Sequence, residues 1–294
     1  MLIGAIKPKK MSKKIIILGA ARSGTKIFRD CLGAASNGVA IPYDIGYVWR
    51  YGNEYLAHDE IPVSAASPRI ASFVDNSLEA MASKKFGSRD LQFTVEKSVP
   101  NVLRPGFIHA LLPSAKFIRI VRRGDKVIES AMRNWERPSD RGYFFEKLRY
   151  FPMRNYNYAL WFVGNRIRGL NEKRAMNVWG PRYDGILKDA ATLPLVDVCS
   201  RQWSRCVDIC DEQLAAVPDD LVMNVRYEDL ISNQTKLRDI CDFAGIPDWK
   251  AVDKYFARNF DHKRADARVS AMTPQERERI EILAGSSMRR LGYV

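Results

Sequence analysis

Residues 15–24, IIILGAARSG, run from a β-branched apolar stretch into a turn with glycines at 19 and 24, and TKIFRDCL follows. A glycine turn between a buried strand and a helix aims backbone N–H groups outward, beside the positive end of the helix dipole, and so makes a site for an anion. Arg22, Ser23, Thr25 and Lys26 surround that turn with charge and hydroxyls. The glycine spacing is that of a triphosphate-binding loop, in which Lys would follow the second glycine and Ser or Thr would come next. Here Thr25 comes first and Lys26 second, and no apolar strand ending in Asp is on hand for magnesium. A second basic strand end lies in KFIRIVRRGDKVIESAMRNW, residues 116–135, with Arg122 closing the strand and Ser130 on the following helix.

The whole chain limits what such a site can serve. Its 294 residues can bury a substantial core, and its apolar content of 46% is that of a globular protein. No apolar run reaches the roughly 18 residues of a membrane span. The first residues, MLIGAIKPKKMSKK, lack the apolar core of a secretory signal. Five cysteines, an odd number, and three histidines offer no second pair beside Cys206 and Cys210 for zinc, so no metal is expected and a cytoplasmic location fits. The net charge of +13 speaks of anionic partners rather than of fold.

Positioning the two basic elements requires alternating strands and helices. Strands are expected at 14–18, 38–41, 93–96, 116–121 and 221–226. Helices are expected from 25, from 67 (Ser67 before Pro68), over 103–112, 125–135, 197–214 and 233–244, and after the Thr273-Pro274-Gln275-Glu276 capping box. His109, on an apolar helix, is expected to be packed core. Alternation of this kind predicts an α/β fold with a mostly parallel sheet. The pattern pauses over 136–195, rich in aromatic and basic residues. The simplest organisation is one domain, 13–294, with a helical insertion at 136–195 and a flexible stretch at 1–12.

Taken together, RSGTK and the Arg122 to Ser130 spacing closely resemble the sulfotransferase family, which uses 3′-phosphoadenosine 5′-phosphosulfate (PAPS). VEKSVPN, 95–101, and NVRYEDLISNQTKLRDICDFAGIP, 224–247, are similar to two further segments of that family, and the C-terminal MTPQERERIEILAGSSMRRLGY to its bacterial members. The resemblance implies a P-loop-like central parallel sheet flanked by helices. It implies that Arg22, Ser23, Gly24, Thr25 and Lys26 hold the 5′-phosphosulfate. Arg122 and Ser130 would hold the 3′-phosphate, Tyr227 would contact adenine, and Arg264 or Arg268 in HKRADAR would complete the site. Lys97 would stabilise the bridging oxygen as the S–O bond breaks, leaving adenosine 3′,5′-bisphosphate, and no metal is implied.

Small-molecule members carry a His two residues beyond the catalytic Lys; here Val99 stands there. Polysaccharide-modifying members use a carboxylate after the second strand, which corresponds to Asp44, with Glu54 and then His58 in reserve. The implied activity is sulfuryl transfer to a hydroxyl or amine, with a glycan acceptor and no nucleic acid; the sequence names neither the acceptor nor an oligomeric state. Residues 136–195 and the loop around Tyr47–Asn53 are expected to line the acceptor side. The alternatives are an ATP-dependent small-molecule kinase, which would need Lys in place of Thr25, and a non-catalytic polyanion-binding protein.

Overall fold

The computed structural model describes residues 12–86, 91–135, 178–233, 235–260 and 271–293. Five strands, β1 (Lys13–Leu18), β2 (Gly38–Ala40), β3 (Phe93–Glu96), β4 (Lys116–Val121) and β5 (Val222–Arg226), form one parallel sheet in the order β2-β3-β1-β4-β5. Parallel neighbours need long crossovers. Helices supply them: α1 (Thr25–Leu32) follows β1, α2 (Gly46–Trp49) and α3 (Pro68–Phe86) follow β2, α4 (Pro105–Leu111) follows β3 and α5 (Gly124–Trp135) follows β4. Among the described residues, α6 (Ile186–Thr192) and α7 (Leu195–Leu214) precede β5. After it come α8 (Tyr227–Ser232), α9 (Thr235–Ala244), α10 (Trp249–Asn259) and α11 (Pro274–Arg290).

β1 lies at the centre of the sheet, which explains its unbroken apolar run. Ile16 and Leu18 enter one core with Trp49, Phe107, Phe117 and Trp203. Ile15 and Ile17 enter another with Phe28, Ile120, Leu237 and Phe256. A strand covered on both faces has no polar side to show in its sequence.

Most expected elements are present, with shifts that have local causes. The helix expected from 103 starts at Pro105, and Val99–Leu103 forms a 3-10 turn before it. The stretch after β5 divides into α8 and α9 around Asn233, whose side chain accepts from the Thr235 N–H at 3.0 Å. Helix α10 is an addition: Asp248 caps it by accepting from Ala251 N (3.3 Å), and Val252 and Phe256 are buried one turn apart. The capping box at Thr273 forms as expected, with Thr273 and Glu276 bonding reciprocally. Residues 1–11 and 136–177 of the expected flexible stretch and insertion lie outside the described residues. The described end of the insertion is tied down by Gln202, whose Nε2 donates to the carbonyls of Trp179 (2.9 Å) and Pro181 (2.8 Å).

All five cysteines are free and buried. Burial pushes the thiols of Cys31, Cys199, Cys210 and Cys241 up to about 12. No helix among the described residues is long and apolar enough to cross a membrane.

Candidate active site

The strand order sets the site. Loops at the C-terminal ends of β2, β3, β1, β4 and β5 stand side by side, and open parallel sheets bind ligands at that edge. They carry, in the same order, Asp44, Lys97, the 19–24 turn, Arg122 and Tyr227.

The central turn is held by close contacts. Gly24 has φ +84°, and a Cβ there would meet the Tyr227 ring at 2.5 Å, so only glycine fits. A Cβ at Gly19 would meet the Ile120 carbonyl oxygen at 2.7 Å. Arg22 is the one non-glycine residue with positive φ (+75°) among the described residues. An L-residue in that region carries strain of about 1–2 kcal/mol, and here it is held from two sides. Its carbonyl accepts from Arg122 Nη1 (3.1 Å), and its Nε donates to Ser130 Oγ (2.9 Å). The Arg122 guanidinium lies 4.2 Å over the Tyr227 ring, a cation–π contact. Arg22, Gly24, Arg122, Ser130 and Tyr227 therefore form one connected cluster.

Gly24 caps α1 with no side-chain acceptor, so the leading amides of the helix face outward. Ser23 and Thr25 are buried and Lys26 is exposed. Among the described residues, Ser23 Oγ is buried with no hydrogen-bond partner. A glycine cradle that a Cβ would fill, an uncapped helix start and an orphan hydroxyl together fit a phosphate or sulfate group.

On the other side of β1, Lys97 Nζ donates to Asp44 Oδ1 at 2.7 Å. The lysine is buried and the carboxylate half-buried. Two residues far apart in sequence, each picked for chemistry, thus meet. Glu54 does not join them: its Oε1 accepts from Gly52 N (3.0 Å), capping its own turn. His58 lies with Nε2 4.0 Å from Asp184. His109 is half-buried, edge-on to Phe117. Arg264 and Arg268 lie outside the described residues.

The stretch 47–53, expected on the acceptor side, is mostly buried. Tyr47, Val48, Trp49, Arg50 and Asn53 are buried, so this loop mostly fills the core beneath the site, and only Gly52 in it is exposed. Tyr55, 74% exposed, carries the outer surface of the loop instead.

Several supporting residues were not singled out by sequence. Arg29 Nη1 donates to Pro42 O (2.7 Å) and so ties α1 to the Asp44 loop. Glu228 accepts from Arg123 N (3.2 Å) and from Tyr293 Oη (2.8 Å), bracing the turn after β4. Glu96, the fully buried end of β3, accepts from Ser98 Oγ (2.6 Å) and Asn101 Nδ2 (2.9 Å). Burial pushes its carboxyl above the ordinary range, against the pull of the Ser98 hydrogen bond. The available signal was a carboxylate ending the short strand Phe93-Thr94-Val95-Glu96.

The profile described as the sulfotransferase family matches residues 14–179, more than half of the chain. No curated protein matches. Among solved structures, a sulfotransferase from Alicyclobacillus acidocaldarius is 15% identical, with a TM-score of 0.50 over 95% of this chain and 94% of that one. A sulfotransferase from Mycobacterium avium is 10% identical, with a TM-score of 0.51 over 96% of this chain and 77% of that one. Likenesses at this identity concern the fold.

Proposed function

Because the chain belongs to the sulfotransferase family, we propose that it moves a sulfuryl group from PAPS to a hydroxyl or amine of a carbohydrate. PAPS supplies the activated sulfuryl group and leaves as adenosine 3′,5′-bisphosphate. The observation that carries the proposal is the 2.7 Å contact between Lys97 Nζ and Asp44 Oδ1 beside the 19–24 turn.

In this reading the protein works by position and electrostatics. The outward amides of Gly24 and Thr25, with Ser23 and Lys26, hold the 5′-side anion. Arg122 and Ser130, with Arg22 bridging between them, hold the 3′-phosphate. Tyr227 braces Arg122 and Gly24 and contacts adenine. Lys97 keeps an ammonium where negative charge grows on the leaving oxygen. Asp44 accepts the proton of the attacking hydroxyl, a role that needs a carboxylate within hydrogen-bond reach of it. The acceptor preference rests on Val99 where a small-molecule enzyme would carry His, and on the net charge of +13.

The test is transfer of labelled sulfate from PAPS onto a panel of glycans, lipids and phenols, with calorimetric binding of adenosine 3′,5′-bisphosphate alongside. Transfer to glycans that is lost in Lys97→Ala and Asp44→Asn, with bisphosphate binding kept, supports the proposal. Full turnover by Asp44→Asn at neutral pH returns the base to Glu54 or His58. A preference for phenols overturns the carbohydrate assignment.

A further inference from the structure

The dipeptides Asp44-Ile45 and Lys97-Ser98 are joined twice. Lys97 Nζ donates to Asp44 Oδ1 at 2.7 Å, and one residue along, Ile45 N donates to Ser98 Oγ at 2.8 Å. The second bond has a fixed direction. A backbone N–H can only donate, so the Ser98 oxygen must accept it, and its one proton goes to Glu96 Oε1 at 2.6 Å. Glu96 is fully buried and acts there as the acceptor that orients the hydroxyl. Its other oxygen accepts from Asn101 Nδ2 (2.9 Å), whose Oδ1 accepts from Arg104 Nε (3.0 Å). Arg104, fully buried, lies 3.6 Å from Asp59, which also accepts from Arg50 Nη1 (3.0 Å) and Arg182 N (2.8 Å). A buried carboxylate with this much support is costly to maintain for strand packing alone, since an apolar residue of similar size does that at lower cost.

We infer that Glu96 and Ser98 are positioning residues that set the separation of Asp44 and Lys97. The inference rests on the reading of those two as proton acceptor and leaving-group cation. The Ile45–Ser98 bond restrains the Asp44 loop from pivoting about the Lys97–Asp44 ion pair, and Glu96 keeps the Ser98 hydroxyl turned so that this bond can form. With the Ile45–Ser98 bond gone, Asp44 can drift by about an ångström against Lys97, a displacement that costs on the order of 100-fold in rate.

The experiment compares the parent, Ser98→Ala, Ser98→Thr and Lys97→Ala. Turnover is read with PAPS and chemically desulfated heparin, binding with adenosine 3′,5′-bisphosphate, and loop order by hydrogen–deuterium exchange over residues 43–48. Ser98→Ala is expected to lower kcat by about 100-fold, leave bisphosphate affinity unchanged and speed exchange over 43–48. Ser98→Thr, which keeps the hydroxyl, is expected to restore both. Unchanged exchange in Ser98→Ala overturns the inference without any turnover measurement. So does equal loss in the Ala and Thr variants, or a parent-like kcat in Ser98→Ala beside a crippled Lys97→Ala. A parent-like kcat in Lys97→Ala removes the underlying reading, and the positioning role with it.

Discussion

Two buried lysines sit at opposite ends of the sheet, each against carboxylate. Lys14, at the start of β1, reaches Glu79 at 2.6 Å, Asp75 at 3.0 Å and the Ser12 carbonyl at 2.9 Å. Lys97, just past the end of β3, reaches Asp44 at 2.7 Å. Both lysines are 7% exposed. Burial and pairing therefore do not separate them. What differs is the frame: the carboxylates facing Lys14 stand on α3, within one turn of each other, at the N-terminal edge. Asp44 stands on a loop at the edge where strand-end loops converge and ligands bind. The first lysine fastens a helix to the sheet. The second faces Asp44 at the strand-end edge, where the proposed chemistry would run.

The comparison can be broken by exchanging which property each lysine affects. Lys97→Ala is expected to lower kcat by about 10³-fold, as loss of a group that meets developing charge does, while bisphosphate affinity stays within about tenfold. Steady-state kinetics with calorimetry checks both. Lys14→Met is expected to leave kcat unchanged and to destabilise the fold by about 3 kcal/mol, because Glu79 and Asp75 lose their buried partner. Denaturant titration measures that, and a kcat defect at temperatures where the variant is folded would sink the contrast.

Arg122→Ala sharpens the picture on the chemical side. It removes a cation from the anion cluster and the prop under the Arg22 carbonyl, so bisphosphate affinity should fall by about 10²-fold. If adenosine 5′-phosphosulfate bound the parent as well as PAPS does, Arg122 and Ser130 would have no 3′-phosphate to hold. The smallest effect concerns pH. Burial alone would raise the Glu79 carboxyl, but hydrogen bonds from Lys14 and Ser12 hold it below the ordinary range. Its folded value lies below its unfolded one, so the stability it adds is present above about pH 4.3 and fades as pH falls through the folded value. The melting-temperature gap between the parent and Glu79→Gln should therefore be widest at neutral pH and close on acidification.

The fold was legible where one local rule decides the outcome. β1 reads as an apolar run because both its faces are covered, and α11 begins at a capping box that needs only Thr273 and Glu276. The 19–24 turn was legible because its glycines lie between a buried strand and a helix, and glycine at 24 answers a steric demand from Tyr227. The pairing of Lys97 with Asp44 was reachable only through family resemblance, since 53 positions separate them and only the β2-β3 adjacency brings them together. Glu96, Ser98 and Arg104 stayed hidden for a related reason. A polar residue at a strand end reads as solvated until the elements that bury it are in place. Over 47–53, aromatic and basic residues suit a binding wall and a core equally well, and the sequence alone does not show that most of them are buried.

The held backbone of Arg22 has a consequence for the speed of association. A floppy loop must be ordered by its ligand, at about 1–2 kcal/mol for each backbone residue fixed. Here the left-handed turn is already fastened by Arg122 and Ser130 before any anion arrives, so that ordering was completed when the chain folded. Capture should then be a single collision-limited step with no lag for loop closure, hastened by the basic surface and slowed smoothly as salt is added.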